Sequence, residues 1–206
     1  KKQFKKGNQM LWNAKMRFGK TLSALQVVKD MDFGRTLILT HRPVVDSGWF
    51  EDFGKIFYDS PGFAYGSKNN GDSHASLEAR AKQGKCQYVY FASMQDLRGS
   101  ELVGGNFDKN NEVFATAWDC IIVDEAQFLT KAQVEYLVHV VDELNIPVIA
   151  YGLRADFRGE FFEGSQWLMC WADTIEEVKT ICWCGKKAIC NARVYNGKVV
   201  KEGDQI

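Results

Sequence analysis

"WDCIIVDEAQFLTKAQ", residues 118–133, is the stretch on which the reading of the fold turns. Its first half is a short apolar run that ends on two adjacent carboxylates, Asp124 and Glu125. A continuous apolar run of this length reads as a strand buried on both faces, and such strands belong to parallel sheets covered by helices. Carboxylates at the end of a buried strand either cap it or reach toward a metal-bound phosphate. The surroundings have to decide which.

Working outward, "KAQVEYLVHVVDEL" (131–144) is an amphipathic helix and "PVIAYGL" (147–153) a strand. Upstream, "QMLWNA" (9–14) is a short apolar strand, and "GKTLSALQVVKDM" (19–31) carries Leu22, Leu25 and Val28 at helical spacing. "RTLILTH" (35–41) and "CQYVYFAS" (86–93) read as strands, "VDSGWFEDFGKIF" (45–57) and "SLEARAKQGK" (76–85) as helices. "YGSKNNGDSH" (65–74) and "RGSELVGGNFDKNNE" (98–112) are rich in Gly, Asn, Asp and Ser and read as exposed loops. The alternation predicts one parallel sheet in which "CIIVDEA" pairs alongside "QMLWNA", "TLILTH" and "PVIAYGL". After about residue 172 the helical period is lost, and "YNGK" (195–198) is an Asn-Gly hairpin turn, so a small β appendage is expected there.

Composition sets bounds. At 206 residues and 46% hydrophobic, the chain is long enough to bury a good core. Lys plus Arg equals Asp plus Glu at 26 each, so net charge gives no argument for a nucleic-acid partner, and the basic opening "KKQFKKGNQ" reads as a solvated terminus. No apolar run reaches the roughly 18 residues of a membrane span and no signal peptide opens the chain, which predicts a cytoplasmic protein without a membrane partner. Six cysteines without a secretory signal point to free thiols or metal ligands. Cys86, Cys120, Cys170 and Cys190 sit among apolar or aromatic neighbours and are expected to be buried, whereas Cys182 and Cys184 form a Cys-x-Cys pair.

The chemistry begins at "AKMRFGKT", Ala14 to Thr21, between a strand and a helix. It matches the phosphate-binding loop, in which backbone N–H groups converge on phosphate oxygens at a helix N-terminus. Arg17 and Lys20 add charge, Thr21 offers magnesium a hydroxyl, and Gly19 allows close backbone approach. Ala14 stands where the strict pattern has glycine. In this context Asp124 reads as the magnesium carboxylate and Glu125 as the group that takes a proton from the attacking oxygen.

Family resemblance divides the chain. "LWNAKMRFGKT", "LILTHRPVV", "YFASMQDLRGS" and "FDKNNEVFATAWD", within residues 9–118, resemble the first motor domain of superfamily 2 helicases of the restriction type. That likeness implies a nucleic-acid face at Thr40, His41, Arg42 and Ser93. From about residue 119, "VDEAQFLTKAQV", "IPVIAYGLRADFRGEFFEGS", "EEVKTICWCGKKA" and "KEGDQI" resemble a bacterial or phage-type thymidine kinase, and Gln127 stands where the motors usually have His or Asp. The expectation is a hybrid of two P-loop folds joined at the "VDE" strand. Its fold class is α/β: a RecA-like P-loop NTPase sheet with helices on both faces over 1–172, and a zinc-ribbon-like β appendage over 173–206.

The kinase resemblance implies Glu125 as catalytic base, ATP and magnesium as cofactors, and thymidine as substrate against Leu153, Phe157, Phe162 and Asn191. It also implies that Cys182 and Cys184 are half of a structural zinc site whose second ligand pair lies beyond "KEGDQI", and that the protein forms a homo-oligomer. Asp46 is the candidate to replace an acidic residue of the kinase segment that "THRPVVDSGW" displaces. An impaired thymidine kinase is thus expected. The alternatives are a helicase-type ATPase fragment acting on DNA and an inert chimera that binds only nucleotide.

Overall fold

The structure, a computed structural model, describes residues 9–13, 19–97, 110–177, 181–182, 184–188 and 190–204, the first of these segments by backbone alone. In chain order the elements are β1 (Gln9–Asn13), α1 (Lys20–Met31), β2 (Arg35–Thr40), α2 (Asp46–Ile56), β3 (Phe63–Gly66), α3 (His74–Lys82) and β4 (Gln87–Ser93). Two single-turn helices, α4 (Met94–Leu97) and α5 (Asn111–Phe114), lead to β5 (Cys120–Asp124), α6 (Lys131–Leu144), β6 (Val148–Tyr151), α7 (Glu163–Trp171) and β7 (Ile175–Glu177). A hairpin, β8 (Arg193–Tyr195) and β9 (Lys198–Val200), follows. Among the described residues no helix is long and apolar enough to cross a membrane.

β1 to β7 make one sheet in the order β3-β4-β2-β5-β6-β1-β7, with every neighbouring pair parallel. The four strands expected to share a sheet do so, and β5 lies at its centre with all its residues buried. Side-chain alternation then splits the core in two. Ile121 and Val123 join Val134 of α6 and Leu168 of α7 on one face. Cys120 and Ile122 join Ala24, Leu25 and Val28 of α1 and Trp49 of α2 on the other. Fully burying side chains of this kind contributes about 1.5–3 kcal/mol each, which is why the apolar run cannot sit at an edge. The parallel register sets Thr40, Asp124 and Tyr151 side by side at the strands' carboxyl ends. That is where an open parallel sheet places its ligand.

Local signals locate the helix ends. α1 begins after Gly19, whose φ of 79° is one that an L side chain adopts with strain. α6 begins with a capping box between Thr130 and Gln133, and ends at Asn145 in the left-handed region. Asn196 and Gly197 both have positive φ, and Tyr195 pairs with Lys198, as the Asn-Gly hairpin reading requires.

Two expectations are corrected. The stretch 65–74 is not an exposed loop throughout, since Tyr65 and Gly66 belong to β3, and Tyr65, Ser67 and His74 are buried. The causes are pairing with β4 and Asp46, whose buried carboxylate accepts hydrogen bonds from the Tyr65 hydroxyl at 2.8 Å, Ser67 Oγ at 2.6 Å and Asn70 Nδ2 at 2.9 Å. Loop-like composition is overridden by strand pairing and one long-range acceptor. Of the four cysteines expected in the interior, Cys120 is buried and Cys86 and Cys190 are half-buried, but Cys170 is exposed on α7. Most of the stretch 98–112 lies outside the described residues, and its last two residues open α5.

Candidate active site

β5 leaves the sheet through Glu125, a non-glycine residue at φ 54°, ψ 38°, and enters a 3-10 turn, Ala126–Phe128. Left-handed backbone in such a residue is sparsely populated and collects at functional sites. Lys20, at the start of α1, meets this turn from the β6 side of β5. Its Nζ lies 2.8 Å from Asp124 Oδ1 and also contacts Glu125 Oε1. Asp124 Oδ1 further accepts the Glu125 N–H at 2.9 Å, and the Lys20 ammonium sits 6.0 Å over the Tyr151 ring.

Each charge answers to burial and to its partners. Burial raises the Asp124 carboxyl above its usual range, and Lys20 only partly pulls it back. For Glu125 the burial effect is smaller than the combined pull of Lys20 and the Gln127 amide, so it lies below the usual carboxylate range. Burial pulls Lys20 down, Asp124 and Glu125 push it up more strongly, and its pKa is raised. Two carboxylates around one ammonium make a place where cationic charge is already compensated. Oxygen donors of this kind, with the Thr21 hydroxyl in the first turn of α1, suit magnesium, a hard cation that keeps waters and shares phosphate oxygens. Asp124 and Thr21 would hold it.

Gln127 is 2% exposed and makes a bridge. Its Nε2 donates to Glu125 Oε2 at 2.7 Å, and its Oε1 accepts the Leu153 N–H at 3.1 Å. The Leu153 carbonyl in turn accepts from Ser165 Oγ of α7 at 2.5 Å. Beside this chain a cavity of about 190 Å³ opens, with Gln127, Leu153, Ser165, Leu168, Met169 and Glu177 in its wall.

The structure brings Lys20, Asp124 and Glu125 into contact, with Gly19 and Thr21 flanking Lys20 in the chain, and sets Leu153 two hydrogen bonds from Glu125. Ala14 and Arg17 lie outside the described residues. Phe157 and Phe162 are buried, but neither is among the cavity's lining residues. Phe162 meets Phe128 edge-on at 5.8 Å, and Phe157 is covered by the Arg193 guanidinium at 4.0 Å. Asn191 is exposed. Asp46 is committed to Tyr65, Ser67 and Asn70, which removes it as a stand-in acid. Of the expected nucleic-acid face, Thr40 and Ser93 are buried, Ser93 Oγ accepting the Asp96 N–H at 3.0 Å at the start of α4, His41 is half-buried and packs on Phe128 at 5.0 Å, and Arg42 is exposed. Sequence reasoning did not foresee Gln127 as a bridge, nor Ser165. A buried amide needs partners at both ends, and Gln127's place two residues after the candidate base Glu125 was the available signal.

The expected zinc half-site is not shown. Cys182 is half-buried and Cys184 exposed, in a tight turn closed by Cys182 N–H to Lys186 O and Gly185 N–H to Cys182 O, both 2.8 Å. Among the described residues no group of three or more His, Cys, Asp or Glu could hold a metal ion, whereas a structural zinc needs four ligands. A zinc-ribbon-like appendage is therefore not shown.

The parallel sheet, the Gly-Lys-Thr start of α1 and the carboxylates at the end of β5 together define a nucleotide-binding α/β protein of P-loop type. A family model described as "TK: Thymidine kinase" matches residues 76–206. The thymidine kinase of Coxiella burnetii is 39% identical over 166 residues, covering 70% of this chain and 85% of that protein. That of Shigella dysenteriae is 41% identical over 165 residues, covering 70% and 80%. That of Legionella pneumophila strain Lens is 56% identical over 93 residues, and the chain spans 44% of its length. The chain belongs to the thymidine kinase family.

The family match does not follow the expected junction. The family match begins at residue 76, well ahead of the junction expected near 119, and includes "YFASMQDLRGS" and "FDKNNEVFATAWD". The Coxiella match covers more of the chain than residues 76–206 supply, so it reaches further upstream still. The comparisons give no support to a helicase part. Short strand-to-loop motifs recur among P-loop proteins because phosphate binding demands the same geometry of each, and the helicase likeness rested on such motifs.

Proposed function

We propose that the protein transfers the γ-phosphoryl group of ATP to the hydroxyl of thymidine, giving ADP and thymidine monophosphate. The observation that carries this is the Lys20 ammonium on the Asp124 and Glu125 carboxylates, joined through Gln127 to Leu153 at the cavity wall. Gly19 and the first turn of α1 bind phosphate through backbone N–H groups, and Lys20 adds a charge that stabilises the oxygens of the transferring group. Asp124 and Thr21 would hold magnesium, which would supply further neutralisation of phosphate charge. Glu125 accepts the proton of the attacking hydroxyl as its oxygen bonds to phosphorus and the bond to ADP breaks. A glutamate carboxylate is ionised near neutral pH, the state in which it can take that proton. Leu153 and the cavity beside it receive the nucleoside, with Phe157, Phe162 and Asn191 as further substrate-side residues by family likeness.

The test is the dependence of ATP turnover on added substrate. Thymidine is expected to stimulate ADP release and to appear as the monophosphate, while DNA leaves the rate unchanged. A DNA-stimulated rate above the thymidine rate would replace the kinase by a motor-type ATPase, and a flat response to both with ATP still bound would leave a nucleotide-binding protein.

A further inference from the structure

We propose that Gln127 is the positioning residue of this site: its amide, held between Glu125 Oε2 and the Leu153 N–H, fixes the direction in which Glu125 presents its carboxylate and leaves Oε1 to receive the proton. The inference deepens the kinase reading and rests on Glu125 being the base. Glu125 has a flexible side chain on a strained backbone, and among the described contacts its carboxylate is held by Lys20 at Oε1 and by Gln127 at Oε2. Lys20 is required by the phosphates in the reaction proposed above. Once it turns to them, Gln127 is what remains to aim the carboxylate.

The geometry suits that task. The amide cannot be reversed, because an oxygen would then face the Glu125 oxygen and an NH₂ would face the Leu153 N–H. It is also boxed in: a Cβ on Gly152 would stand 2.2 Å from Gln127 Oε1 and 2.9 Å from the Gln127 backbone nitrogen, so the absence of a side chain at Gly152 is what makes room for the bridge. The Leu153 end is tied in turn to Ser165 of α7. One continuous path therefore runs from the cavity wall to the base, and a substrate that presses on Leu153 acts on the aim of Glu125. An orienting amide of this kind contributes through the transition state, where small misplacements are costly.

Gln127→Met removes both hydrogen bonds and Gln127→Glu keeps the size but removes the donor; the second serves if the first fails to fold, which circular dichroism decides. With magnesium-ATP and thymidine, kcat is expected to fall by about tenfold or more while KM for thymidine changes by less than about threefold. In a Glu125→Gln background the same substitutions are expected to have almost no further effect, because Gln127 acts through Glu125. An equal loss in both backgrounds, or a loss carried by KM, would overturn the proposal. The Gln127 side-chain N–H pair gives a measurement free of turnover. In the nuclear magnetic resonance spectrum it is expected to be protected from exchange in the native protein and exposed in Glu125→Ala. A protected pair in a protein that does not phosphorylate thymidine supports the anchor while ending the kinase reading; an unprotected pair overturns the anchor whatever the activity.

Discussion

Replacing Lys20 by Met keeps the aliphatic stem and deletes the ammonium, and the consequence can be worked from the burial of its partners. The Asp124 side chain is 4% exposed and that of Lys20 18%, at a separation of 2.8 Å. Without Lys20, the described hydrogen bond left to the Asp124 carboxylate is the neighbouring Glu125 N–H. Breaking a buried pair by removing one member costs about 3–5 kcal/mol, and water entering by the more open Lys20 side favours the lower end, about 3 kcal/mol. For a chain of this size that is a fall of roughly 6–12 °C in Tm. The pH dependence has a definite sign. Asp124 already lies above the usual carboxylate range through burial, and losing Lys20 raises it further. A carboxyl whose folded pKa exceeds its unfolded one destabilises the fold when ionised, fully above the folded pKa and progressively less as pH falls through it toward the unfolded value. The deficit of the variant relative to the native protein should therefore be larger at about pH 7.5 than at about pH 5. Urea denaturation followed by tryptophan fluorescence at both pH values measures it. Magnesium-ATP should raise the Tm of the native protein and not that of the variant, since a ligand that binds the folded state stabilises it by mass action. A variant as stable as the native protein at the higher pH, or one that keeps the nucleotide shift, would refute the placement of Lys20 in the site.

Asp46→Ala removes the acceptor shared by Tyr65, Ser67 and Asn70 and should cost about 2–4 kcal/mol while the nucleotide-induced Tm shift survives; loss of that shift at unchanged stability would return Asp46 to the phosphate site. Gly164→Ala sets a Cβ 2.4 Å from Ala126 O, 2.8 Å from Leu129 O and 2.9 Å from Gln127 O, all backbone, so the urea midpoint should drop by the equivalent of about 1–3 kcal/mol and kcat should fall with it. A Gly164 variant with unchanged midpoint would show that α7 does not press on the turn carrying Gln127.

How much of this was legible in advance follows from the range of the interactions involved. β5 could be placed inside a parallel sheet from "CIIVDE" and the strand-helix alternation around it, because an apolar strand without alternation needs cover on both faces. The positions of Lys20, Asp124 and Glu125 were also readable, since phosphate chemistry needs these groups at the start of a helix and the end of a strand, and both ends are marked by local residues. The Asn-Gly hairpin is local in the same sense, as its turn geometry is a property of residues 195–198.

What the tertiary structure decided was pairing across distance. Nothing near "YGSKNNGDSH" announces that Asp46 will collect its polar groups, and nothing near Phe157 announces the Arg193 guanidinium. Likewise, the identity of Gln127 is visible in "DEAQF", and its bond to Glu125 is local, but its bond to Leu153 exists only because β6 runs beside β5 and delivers the Leu153 N–H, with Gly152 leaving the space. Local composition determines which backbone shapes are cheap. Which buried donor finds which buried acceptor is settled only when the sheet order brings them together, since desolvated polar groups must be satisfied by whatever the fold places next to them.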